Sequence, residues 1–168
     1  DPYTDLVPVT LVTLSPQTIV AHPSLPVRNV KELIALARAR PGELNMGNAG
    51  NMLPTLLFTT LAKVKIENVP YKGAGPAMQD ALGGQVDGIF TNPPTVVSHV
   101  QSGRLRALRM AGKKRLAALP EVPTFDEAGV SGFEASAWFG LLAPASTPEA
   151  VIGRLNAALV KILGGAEF

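Results

Sequence analysis

The chain contains no cysteine, which excludes disulfides and thiolate metal sites. Histidine is almost as scarce: His22 and His99 are the only two, and neither has a partner at a ligand or acid–base spacing, so structural or surface roles are expected. Aromatic residues make up 5% of the chain, with a single tryptophan. That leaves little for a Trp-lined sugar cleft and hands the core to Leu, Val, Ile and Ala. No apolar run reaches the roughly 18 residues that a membrane-spanning helix needs. Charge of one sign is also missing. Fifteen Lys and Arg against 13 Asp and Glu give a net charge of +2, too small an excess to imply nucleic acid. One acid-free run, Arg104, Arg106, Arg109, Lys113, Lys114 and Arg115, lacks the interleaved aromatics of a nucleic-acid patch. It reads as solvated loop and strand edge, with an anion-attracting or partner surface as the alternative.

Catalytic motifs are equally absent. Gly73-Ala74-Gly75-Pro76 fails the dinucleotide fingerprint at its third glycine, and there is no Walker sequence. Ser131, in GVSGF, lacks the spacing of a hydrolase elbow. Asp80 and Asp87 fall in different elements with no paired carboxylate, which gives general acid–base catalysis no support. Asp87 is expected to cap or bridge within a sheet. Trp138 beside Phe139 reads as core packing, with a cleft wall as the alternative.

What remains is a chain of 168 residues, 46% hydrophobic and 17% charged. Such a chain builds one substantial core or two small lobes, burying about 68–70% of its unfolded surface. Strands are expected at 6–14 and around 17–22, with Pro8 marking an edge or hinge. Asn29 and Glu32 form a capping-box pair ahead of Val30, Leu33, Ile34 and Ala37 at helical spacing, and Pro41-Gly42 ends that helix. Strand 43–47, the turn Asn48 to Asn51 and helix 53–63 follow. Strand 66–70, helix 75–82, strand 86–91, helix 93–101 and strand 105–111 continue the alternation. Asn92 is the natural N-cap and Pro93 the first helical residue. Thr124 with Glu127 caps a short helix stopped by Gly129, residues 134–142 form a strand, and Thr147-Pro148-Glu149 opens a last helix striped with Val151, Ile152, Leu155, Leu159 and Ile162. The expected fold class is α/β, a mixed, largely parallel sheet flanked by helices.

In such sheets ligands bind where the carboxyl ends of strands meet helix N-termini. Three turns meet that description: Asn48 to Asn51, Pro70 to Gly75 and Thr91 to Pro94. Their Gly and Asn content suits a backbone-lined anion site, and it also suits ordinary strand-to-helix turns. An anion-ready crevice without catalytic groups points to a binding protein before an enzyme.

The segments DLVPVTLV at 5–12, HPSLPVRNVKELIALARARPGELN at 22–45, VPYKGAGPAMQDALGGQVDGIF at 69–90, SGRLRAL at 102–108 and WFGLLAPASTP at 138–148 closely resemble the Bug-type receptors. These are the periplasmic solute-binding components of tripartite tricarboxylate transporters. The resemblance implies one lobe of a type II periplasmic binding fold, which closes on a small carboxylated ligand (a dicarboxylate, amino acid or aromatic acid) and hands it to membrane permease subunits. It implies a periplasmic location, no cofactor, no metal, no catalytic residue and no nucleic-acid partner. On this basis residues 1–14 are a hinge strand region and 15–133 the second, ligand-binding lobe. Residues 134–163 are a hinge strand and helix returning toward the first lobe, and 164–168 are added sequence or a truncation point. Signal peptide and first-lobe segment are expected upstream of Asp1, which leaves half a binding site here. Family members follow AGN with a longer Gly/Ser/Thr-rich turn and a histidine; this chain reads AGNMLPTLLF, and Thr91 stands where an acidic residue is common. The matches that survive are Gly50, Asn51, Tyr71, Lys72 and Asn92. Backbone N–H groups near Gly50 and Asn51 are then expected to hold a carboxylate, with hydrogen bonds from Tyr71 and Asn92 and charge from Lys72. Two other readings stay open. One is a self-associating structural module, a homodimer through the exposed inter-lobe surface around Trp138, Phe139 and strand 6–14; the other is a small α/β enzyme on an anionic substrate.

Overall fold

The computed structural model describes residues 1–48, 50–112, 114–129 and 133–165. Lys113 of the basic run, Ser131 and the last three residues of the tail, 166–168, lie outside them, as does Ala49 in the first candidate turn.

In chain order the elements are α1 (Pro2–Asp5), β1 (Leu6–Pro16), β2 (Thr18–Ala21), α2 (Val30–Ala39), β3 (Asn45–Asn48), α3 (Leu53–Ala62), β4 (Glu67–Pro70), α4 (Ala74–Leu82), β5 (Gly88–Thr91), α5 (Pro93–Gln101), β6 (Arg106–Met110), a 3₁₀ turn (Asp126–Ala128), β7 (Ser136–Pro144) and α6 (Glu149–Leu163). They group into two compact units, residues 1–15 with 137–168, and residues 16–136.

The second unit holds a five-stranded sheet in the order β4-β3-β5-β2-β6. β3 runs parallel to β4 and to β5, while β2 runs antiparallel to β5 and to β6. Four strands therefore point one way and β2 alone is reversed between two of them. The alternation along β2 and β5 builds a core on each face. Ile19, Ala21 and Phe90 join the cluster that includes Val30 and Leu33 of α2 and Phe58 of α3. Val20 and Ile89 join Ala77 and Ala81 of α4 and Val96 of α5. All four residues of β2 and of β5 are buried, as strands covered on both faces must be. Four phenylalanines close the first core: Phe58 lies 5.9 Å from Phe90, 6.1 Å from Phe125 and 6.3 Å from Phe133, centroid to centroid. Gly88 is forced by proximity, since a Cβ there would sit 2.3 Å from the Val20 carbonyl oxygen.

Local signals hold where hydrogen bonds complete them. Asn29 Oδ1 accepts from Glu32 N–H at 3.0 Å, and Glu32 Oε2 reaches back one residue further than the usual box, to Arg28 N–H at 2.7 Å. Thr124 and Glu127 cap the 3₁₀ turn reciprocally, and Gly129 leaves it at φ 77°. Asp87 bridges as expected: its Oδ2 accepts from Asn45 N–H at 2.7 Å.

In the first unit β1 pairs with β7, and Asn156 of α6 donates from Nδ2 to Val9 O at 2.7 Å. Val9 and Ala143 are its buried apolar residues, and α6 has none. Trp138 is 62% exposed and Phe139 49%, so neither is core packing.

Candidate functional site

Because β3, β4 and β5 are parallel, their carboxyl ends share one end of the sheet and deliver the starts of α3, α4 and α5 to it. β2, reversed, begins there too: Thr18 pairs with Thr91, the last residue of β5. The first two turns are tied by Tyr71 N–H, which donates to Asn48 O at 2.9 Å. All five sequence-predicted residues lie in or beside these turns.

Their hydrogen-bonding capacity is unequal. Gly50 takes φ 84°, which favours glycine, and its N–H donates to Asn48 Oδ1 at 3.2 Å. Asn51 is exposed, and its Oδ1 accepts from Leu53 N–H at 3.0 Å, holding the first turn of α3. The Tyr71 ring lies over Gly47, where a Cβ would come within 3.1 Å of it, and its hydroxyl donates to Asp80 Oδ2 at 2.7 Å. That bond, with some desolvation, raises the Tyr71 pKa above its usual value. Lys72 is exposed. Asn92 sits at the start of α5 without a side-chain cap bond, and its Oδ1 is buried with no partner among the described residues.

The helix starts differ as anion sites. Pro93 and Pro94 remove two N–H groups from α5, and Thr95 N–H is spent on Asn92 O. α4 begins with Gly73 in extended backbone and no side-chain cap; Pro76 brings no N–H to its first turn, and among the described residues the N–H groups of Ala74 and Gly75 have no acceptor.

Sequence reasoning missed a supporting layer. Asn48 Nδ2 donates to Asn68 Oδ1 at 2.9 Å while its own Oδ1 takes the Gly50 bond, so Asn48 shapes the turn. The Thr91 and Thr95 hydroxyls meet at 3.0 Å, and Thr95 Oγ1 donates to Asn92 O. Gln17, just ahead of β2, is 9% exposed, and its Oε1 is buried with no partner among the described residues. The only sequence signal for these residues was polar side chains at strand ends.

A cleft of about 480 Å³ opens here, lined by Gln17, Asn51, Leu53, Leu56 and Glu134 among others. A second, of about 500 Å³, runs along β6 past Arg28, Arg106 and Arg109, with Glu121 in its wall. Three arginines of the basic run, Arg106, Arg109 and Arg115, bond within the chain. Arg106 donates to Val27 O at 2.6 Å, and Arg115 forms a bidentate pair with Glu127. Arg109 is half-buried, and desolvation lowers its pKa. His22 Nδ1 meets Ser24 Oγ at 2.7 Å within a local turn. Among the described residues no three His, Asp or Glu side chains gather as a metal site needs, and no helix is long and apolar enough to cross a membrane.

A family model described as the tripartite tricarboxylate transporter family receptor matches residues 1–167. Protein BugT of Bordetella pertussis is 42% identical over 157 residues, which cover 90% of this chain and 48% of BugT. Among solved structures, that of R. palustris Rpa4515 with adipate superposes with a TM-score of 0.93 at 37% identity, covering 99% of this chain and 57% of that one. MatC (Rpa3494) from Rhodopseudomonas palustris with bound malate gives 0.87 at 34% identity, covering 96% and 56%. The chain thus spans about half the length of the relatives it matches.

Proposed function

The chain belongs to the tripartite tricarboxylate transporter receptor family, and we propose that it is the second, ligand-binding lobe of a periplasmic solute receptor that takes a small carboxylated metabolite and passes it to membrane permease subunits. The observation that carries this reading is the convergence of three strand-to-helix turns, with hydrogen-bonding groups still open, at one end of the sheet. The ligand carboxylate lies against the uncapped start of α4. Lys72 supplies charge, the Asn51 and Asn92 amides supply donors, Gly50 allows close approach and Tyr71 forms a wall. A hinge at strands β1 and β7 would let ligand bias a closed state.

Isothermal calorimetry with a panel of mono- and dicarboxylates tests the site. Lys72→Ala and Asn92→Ala should each weaken binding about tenfold, as expected for loss of a charge-assisted hydrogen bond. Unchanged affinity in both variants removes the site from this end of the sheet.

A second reading has its own support. Leu11, Leu14, Trp138, Phe139 and Val160 are exposed large apolar residues of the first unit, a surface that copies of the chain could bury against one another. Light scattering decides it: a clean monomer at high concentration ends the self-association reading.

A further inference from the structure

The cleft beside α3 differs in chemistry from the turns it adjoins, and the difference sorts ligands. Leu53, Pro54, Leu56 and Leu57 line it, and Leu53 remains 68% exposed. Contiguous apolar surface of this kind at a concave site marks contact with a ligand body. Among the described residues no lysine or arginine lines the cleft, and the charged one that does is Glu134. Gln17 also lines it, with a side-chain oxygen that has no partner among the described residues. Gln17 is held on both sides of its backbone, its N–H donating to Ala135 O at 2.9 Å and its O accepting from Ala111 N–H at 2.7 Å. These bonds hold the Gln17 backbone beside the cleft. A buried acceptor left empty is costly, and a ligand donor relieves that cost. Asn51 lines the same cleft and belongs to the first strand-end turn, so the cleft reaches that turn.

We propose that this cleft takes the hydrocarbon body of a monocarboxylic acid, with a hydroxyl or ammonium donor on that body meeting the Gln17 side-chain oxygen. The proposal rests on the carboxylate site described above. It disfavours a second carboxylate: Glu134 repels one, and among the described residues no cation lines the cleft to pair with it. Dicarboxylates such as those bound by the two R. palustris neighbours should fit this chain poorly.

The test is titration of the nitrogen-15-labelled chain with hexanoate, 6-hydroxyhexanoate and adipate at one ionic strength, followed through amide shifts. The hydroxy acid should bind about threefold to tenfold more tightly than hexanoate, the worth of one neutral hydrogen bond, and adipate more weakly than either. Shifts should reach the amides of Leu53, Leu56 and Leu57 and the Gln17 side chain. Gln17→Leu should level hexanoate and the hydroxy acid while hexanoate binding survives. Adipate binding as tightly as the hydroxy acid overturns the proposal and leaves the carboxylate site standing. So does a map of shifts confined to the strand-end turns in the unmutated chain, whatever the variant does. No response to any of the acids overturns both.

Discussion

Glu127 serves two neighbours at once. It accepts from Thr124 N–H at 2.7 Å and from the Arg115 Nη2 at 2.9 Å. Those bonds, the arginine's first, hold its carboxyl at about 2, from an ordinary 4.5. A carboxylate whose folded pKa is depressed contributes stability above its unfolded value, and that contribution is lost as pH falls from about 4.5 toward about 2. NMR titration of the Glu127 side chain should therefore show a midpoint near 2, moving up toward the ordinary range in Arg115→Gln. A midpoint that stays low in the variant would assign the shift to Thr124 instead. The pairing of Thr124 with Glu127 was legible in the sequence, three residues apart before a glycine stop. The arginine was not, because Arg115 comes from twelve residues away through an irregular loop. The same split governs the site. Asn51 and Asn92 could be picked from their turns, whereas the placing of Gln17 depends on backbone bonds to residues 111 and 135, far along the chain.

Elements end where local chemistry ends them, and α3 shows what happens when that chemistry is imperfect. Its C-cap, Lys63, takes φ 52° and ψ 53° and is the only non-glycine residue at positive φ among those described. The left-handed region costs an L-residue about 1–2 kcal/mol, part of which glycine gives back as unfolded-state entropy. Lys63→Gly should raise stability by about 0.5–1 kcal/mol, read as a higher urea midpoint at unchanged slope; a lower midpoint would mean that the lysine side chain carries a compensating contact. The order of elements was readable because glycine, proline and asparagine punctuate it. Boundaries were less so: β3 occupies 45–48 rather than 43–47, and β7 occupies 136–144 rather than 134–142. Strand ends follow from pairing across the sheet, which spacing along one segment does not carry. The reversal of β2 was likewise invisible, since four buried residues in a row read the same in either direction.

At the scale of the whole molecule the two units are unequally furnished. Every core cluster lies within residues 16–136, while the other unit buries little apolar surface of its own, and a lone two-stranded sheet is marginal in water. Residues 16–136 expressed alone should unfold cooperatively in urea, with a midpoint close to that of the full chain, and stay monomeric by light scattering. Loss of cooperativity in that piece would show that β1, β7 and α6 are needed to complete its core.

The reversed strand has a last consequence, for the order in which the chain assembles. β2 is among the earliest segments of its unit to be synthesised, yet its neighbours are supplied late: Thr18 faces Thr91 on one side and Met110 on the other. The centre of the sheet thus cannot close until most of the unit has been made, and loop-closure entropy must be met before those pairings stabilise anything. A nascent chain halted before β5 would carry Ile19 and Val20 unpaired, a sticky strand waiting for both of its partners.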